Sequence, residues 1–241
     1  VSTPITNKDA AAHGAVRRPR LFTLAAALAA AYWILGMLDT ATWVPEALAP
    51  EGRVGAADLA LGAAQVTLVS IAVAGVAVGL GRSGRARLLV AASLVAVLLL
   101  LAVDAASFVL SGADLDYIRA TSLDVPHVAL VYARPFLVPL GLLMPVGTIG
   151  LMQAGVLRSA VPLRVGVLAS WAATVGSLAV SAVDIVWLFN NRWAEQVEAD
   201  GLVAVLWAHH RLPGIALDVV LFAALVALFI PLLISRRRSP P

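Results

Sequence analysis

Six stretches of the chain are almost wholly apolar, and polar, charged and turn-forming residues gather between them. They run over about 21–38, 56–80, 88–110, 128–155, 165–189 and 215–234. An α-helix rises 1.5 Å per residue, so roughly 20 apolar residues cross about 30 Å of hydrocarbon. The pattern therefore predicts an all-α, polytopic membrane bundle of six transmembrane helices. Residues 1–20 read as a disordered tail, 21–235 as one six-span membrane domain, and 236–241 as a basic tail. Arg17, Arg18 and Arg20 before the first apolar run imitate a secretory signal. That run is long for such a signal and no clear small-residue cleavage site closes it, so an uncleaved first span is expected.

The fourth stretch departs from a plain span. It carries Pro135, Pro139 and Pro145, with Gly141, Gly147 and Gly150 between and after them. It also carries Arg134, the only basic residue inside any of the six stretches. Interior prolines remove backbone donors and crowd the preceding turn, so this span is expected to be kinked or partly unwound. Irregular backbone at membrane depth needs neighbouring helices or a wet cavity to satisfy it, which predicts a central place in the bundle beside a polar pocket. In the second span, the Gly75–Gly79 pair fits a close helix-packing face.

Charge then orients the bundle. The two tails and alternate connections hold Lys8, Arg17, Arg18, Arg20, Arg82, Arg85, Arg87, Arg158, Arg164 and Arg236 to Arg238, 12 of the 17 basic residues. Cationic loops stay in the cytoplasm, so both the N- and C-termini are expected there, in a cytoplasmic (inner) membrane. Of the 14 acids, only Asp9 falls on that side. Glu46, Glu51, Asp114, Asp116, Glu195, Glu198 and Asp200 read as a solvated outer face. The outer connection 191–212 holds enough apolar residues, Val197, Leu202, Val205 and Trp207 among them, for a short helix on the interface. The segment 111–127 reads similarly on a smaller scale, with Leu115, Tyr117 and Ile118 facing lipid.

Composition narrows the chemistry. A chain that is 61% hydrophobic and 13% charged, with a mean hydropathy of +0.94, is too apolar for an ordinary soluble domain. Its basic residues flank spans instead of forming one soluble face, so the lipid bilayer is the expected partner and nucleic acid is not. With no cysteine there is no disulfide, thiolate nucleophile or cysteine-held metal. Lys8, the sole lysine, sits in the tail, which excludes a retinal Schiff base of the usual form. Haem is disfavoured because no histidine lies deep in a span, and the cofactor is otherwise unknown. A metal site from His127, one of His209 and His210, and an outer aspartate is the only such arrangement the sequence offers, and no metal is expected. No serine–histidine–acid set, aspartate-rich prenyl-diphosphate motif or phosphate-cradling glycine loop is present.

What remains is a set of polar groups inside the spans. Gln65, Asp104, Arg134 and Asp218 come from four different spans and fall at similar depth below the outer surface, with Asp184 shallower. Each charge in hydrocarbon costs about 2.5–3.5 kcal/mol even on lenient scales, so they are expected to meet one another or water. Arg134 is expected to pair with Asp104 or Asp218, leaving a surplus acid. Trp33 and Trp171 are expected to fill the core. The leading expectation is an outward-facing polar pocket, lined by Asp104, Arg134, Asp184, Asp218 and Gln65, that binds or passes a small-molecule ligand. A membrane-embedded enzyme on a lipophilic substrate is the rival, for example an acid-initiated isoprenoid or terpene cyclase. Asp104 or Asp218 would then be the catalytic acid, with Phe108, Trp187 and Trp207 as candidate aromatic walls. A structural subunit of a membrane complex is the third reading.

Overall fold

The computed structural model describes residues 18–48, 55–81, 86–110, 125–188, 190, 194–208 and 211–234. They form α1 (Arg18–Thr42), α2 (Val44–Ala47), α3 (Ala56–Gly81), α4 (Ala86–Leu110), α5 (Val125–Gln153), α6 (Val161–Leu188), α7 (Ala194–Asp200), α8 (Leu202–Ala208) and α9 (Arg211–Ile234). Six of these, α1, α3, α4, α5, α6 and α9, are long and apolar enough to cross a membrane. In hydrocarbon only a helix can satisfy every backbone N–H and C=O from within one segment, which is why each long apolar run is helical.

Successive long helices run antiparallel. Phe22 lies against Gly81 and Gly36 against Val66; Gly79 lies against Ala86 and Leu89; Phe108 meets Phe136, and Leu137 meets Gly176. The start of α1 and the end of α9 therefore share one end of the bundle, here the terminal end. The principal contacts follow chain order, α1 to α3 to α4 to α5 to α6 to α9, and α9 returns to pack on α1. The result is a closed ring of six helices, with α9 also touching α3 across it.

Lipid tails are as apolar as leucine, so packing and polar contacts rather than water exclusion hold such helices together. Small residues set the distances. On α3, Gly75 faces Ser93 and the Leu89 carbonyl, and Gly79 faces Leu89 and Ala86, so the paired glycines do mark a packing face. The interior is apolar through most of its height, with Val73, Val76, Val97, Leu100, Leu142, Val146, Leu225 and Phe229 at 2% exposure or less.

Two expectations about the fourth span are corrected. It is one member of the ring, not its centre; α9 is the most enclosed of the six. Of the two, α9 is much the more uniformly apolar, with mean hydropathy 2.8 in its span against 1.8. Of the two forms expected for α5, kinked or partly unwound, the second is not found: helix runs unbroken from Val125 to Gln153 through all three prolines. Its neighbour supports it. A Cβ on Gly166 of α6 would stand 2.9 Å from the Pro145 nitrogen, and one on Gly141 of α5 would stand 3.3 Å from the Ser170 Cα. Bare glycine on both helices lets the backbones touch where α5 lacks ladder hydrogen bonds. Past its end, Gly155 takes φ 77°, with Val156 N donating to Leu151 O at 3.0 Å and Gly155 N to Met152 O at 3.2 Å. This Schellman arrangement stops the helix with its last carbonyls satisfied.

At the opposite end, two short helices, α7 and α8, stand in the connection where one was expected between the fifth and sixth spans. Val205 of α8 is buried and α8 packs on α9. The segment 111–124, with Leu115, Tyr117 and Ile118, lies outside the described residues, as do the tails and Arg82 and Arg85. Trp33 does not fill the core. It is 43% exposed on the ring's outer surface, where its indole N–H donates to Thr67 at 3.1 Å. A polar edge on a large apolar ring lets it face lipid once a neighbouring hydroxyl accepts that hydrogen. Trp171, by contrast, packs against the core.

Candidate functional site

All six long helices place a polar side chain at one level near the opposite end. Counted from that end, Tyr32 of α1, Gln65 of α3, Asp104 of α4, Arg134 of α5, Ser177 and Ser181 of α6 and Asp218 of α9 lie about 9–17 Å along their helices. The acids are enclosed: Asp104 is 3% exposed and Asp218 9%.

The five residues singled out by sequence separate into three pairs. Arg134 Nη2 donates to Asp218 Oδ2 at 3.0 Å, and its Nε reaches Ser177 Oγ at 3.3 Å. The arginine thus takes Asp218 of α9, not Asp104, although α5 packs directly on α4. Gln65 Nε2 donates to Asp104 Oδ1 at 2.6 Å, across the α3–α4 contact. Asp104 Oδ2 is buried with no hydrogen-bond partner among the described residues. Asp184, nearer the end of α6, pairs with Arg211 Nη1 at 3.0 Å. Arg211 heads α9 and belongs to the connection in the sequence reading, which gave it no role.

Two further contributions escape a reading by charge. The Tyr32 hydroxyl sits within electrostatic reach of Asp218, Arg134 and Asp104. On α6, Ser170, Thr174, Ser177 and Ser181 are all buried. Their spacing of four, three and four puts them on one face. Thr174 and Ser181 return their hydrogens to the carbonyls four residues back, at 2.9 and 3.1 Å. Ser181 also lies within hydrogen-bond reach of the Asp218 carboxylate. Such spacing of hydroxyls in an apolar span is the signal that could have found them.

A cleft of about 60 Å³ opens at this level between α5, α6 and α9, lined by Arg134, Ser181, Ile185, Arg211, Gly214 and Ile215. Two of the paired cations therefore border the opening. Gln65 and Asp104 do not line it. Of the five residues expected to line one pocket, Arg134 alone lines this cleft.

No family model, curated protein or solved structure matches the chain. Its chemistry is therefore read from the side chains alone. Among the described residues, no group of three or more histidines, aspartates and glutamates is placed to hold a metal ion. His209, His210, Asp114, Asp116, Asp124 and Glu51 lie outside the described residues, as do the side chains of His127, Glu46 and Trp207.

What the arrangement can do follows from its donors and acceptors. The Arg134–Asp218–Ser177 set is near charge balance and fixed from three helices. A guanidinium carries five N–H donors, more than the two contacts to Asp218 and Ser177 consume. Asp104 is a lone acid whose neighbour on one side is an amide.

Proposed function

We propose that this is a six-span protein of the cytoplasmic membrane that binds a small, hydrogen-bond-accepting solute in the cleft at Arg134, Ser181 and Arg211. One observation carries the reading: two arginines, each held by a carboxylate, border the same opening. A guanidinium fork matches carboxylates and inorganic oxyanions. The volume, about two waters at roughly 30 Å³ each, suits a solute of a few heavy atoms. Asp184 and Asp218 hold the forks in place, while Gln65 and Asp104 support the far side of the polar layer. The apolar interior towards the terminal end favours binding over passage.

The test is thermal unfolding of the protein in lipid nanodiscs, titrated with small carboxylates and inorganic anions. Saturable stabilisation is expected for wild type, and at least tenfold weaker binding for Arg134→Lys, which keeps the charge and loses the fork. Equal responses from the two proteins would remove the cleft as the binding site.

The charge distribution sets the orientation in this proposal: both termini cytoplasmic, the cleft facing outward. A green fluorescent fusion after residue 234 is expected to fluoresce and an alkaline phosphatase fusion there to be inactive. An active phosphatase would invert the orientation.

A second reading, an enzyme on a lipophilic substrate, draws on the surroundings of Asp104. Phe108, one turn further along α4, meets Phe136 edge to face with ring centroids 6.1 Å apart, and such rings stabilise cations. Asp218 is committed to Arg134, so Asp104 is the acid this reading needs. Asp104→Asn would abolish turnover of an isoprenoid or its epoxide in a folded protein; retained turnover would dismiss it.

A further inference from the structure

We propose that Asp104 is a proton-binding site, holding its hydrogen as a neutral acid that donates to the Gln65 side-chain amide. The inference concerns the α3–α4 side of the layer and stands apart from solute binding at the arginine cleft.

Three observations converge on it. Asp104 is 3% exposed, and among the described residues it has no ion pair. An ionised carboxylate buried without a cation is far costlier than a neutral acid. Second, Oδ2 is buried and has no hydrogen-bond partner among the described residues. A carboxylate spreads its charge over both oxygens and wants donors at each, whereas a neutral acid can leave its carbonyl oxygen bare at the smaller cost of one polar group. Third, the Gln65–Asp104 separation is 2.6 Å. That is short for N–H···O, where 2.9–3.0 Å is usual, and falls within the ordinary range of O–H···O. A half-turn of the Gln65 amide exchanges its nitrogen and oxygen. The amide oxygen then accepts from Oδ1–H.

The groups facing Asp104 fit a neutral acid. From α3 comes the uncharged Gln65, and from α1 the Tyr32 phenol lies within electrostatic reach. Arg134 of α5, the nearest cation of the layer, turns to Asp218 of α9 and Ser177 of α6. Neutralising Asp104 also leaves the Arg134–Asp218 pair balanced, so the layer carries no net charge.

The experiment is infrared spectroscopy of the full chain in nanodiscs at neutral pH. Wild type is expected to show the carbonyl stretch of a protonated carboxylic acid, shifting in heavy water. Asp104→Asn is expected to lose that band while melting with wild type, because asparagine copies the shape and charge of a neutral acid. Gln65→Leu is expected to keep the band and move it to higher frequency as the acceptor disappears. Identical acid bands in wild type and Asp104→Asn would overturn the proposal. So would collapse of the Asp104→Asn fold, or a band unmoved in Gln65→Leu.

Discussion

Arg134→Met is expected to destabilise the bundle by about 3–5 kcal/mol, the usual loss when one member of a buried ion pair is removed. The effect is large because Asp218 cannot move to water. It sits at 9% exposure in the most enclosed span, with the guanidinium 3.0 Å away. Removing the cation leaves a carboxylate facing apolar walls and a serine. The same logic predicts a similar loss for Asp218→Leu. The double variant Arg134→Met with Asp218→Leu is expected to recover most of it, since two apolar groups need no compensation. Reversible unfolding in mixed micelles measures all three. Additive losses in the double variant would show that the pair acts through something other than mutual neutralisation.

Gly166→Val is expected to cost about 1–3 kcal/mol, the penalty of overpacking a site that cannot yield. Here the obstacle is backbone. The Met144 carbonyl carbon lies 3.1 Å and the Pro145 nitrogen 2.9 Å from where the new Cβ would stand. Relief would require α5 and α6 to separate, and theirs is the most extensive helix contact in the protein. Gly62 of α3 has nothing within 4 Å of its Cβ direction. Gly62→Ala is therefore expected to be neutral or to stabilise by about 0.5–1 kcal/mol through helix propensity. Equal melting of Gly166→Val and wild type would refute the close-packing account of how α5 tolerates its prolines.

The spans were legible because length and apolarity alone determine them; 56–80 and 88–110 differ from α3 and α4 by a residue or two. The common depth of Gln65, Asp104, Arg134 and Asp218 was legible too, since a helix converts residue count into height. Pairing was not. Whether Arg134 meets Asp104 or Asp218 depends on the way its side chain turns, since α5 packs on both α4 and α6, and hydropathy carries no trace of that. Tyr32 was overlooked because aromatic residues near a membrane surface usually anchor the interface. Its position ten residues before the end of α1 is the hint that it lies deeper. The prolines of α5 misled in the opposite direction. Their local cost is plain in sequence, but its relief comes from Gly166, which is distant in sequence and meaningful only once α5 and α6 are adjacent.

The closure of the ring by α9 has a bearing on biogenesis. Asp218 follows Arg134 by 84 positions, so a ribosome adding about 5–20 residues per second delivers it roughly 4–17 s later. Throughout that interval the guanidinium lacks the carboxylate it takes in the finished bundle, and Ser177, made about midway, is its other contact among the described residues. A membrane chaperone or translocon that shields Arg134 until Asp218 arrives would shorten its exposure to lipid, and chains stalled in that window would be the natural targets of membrane proteolysis.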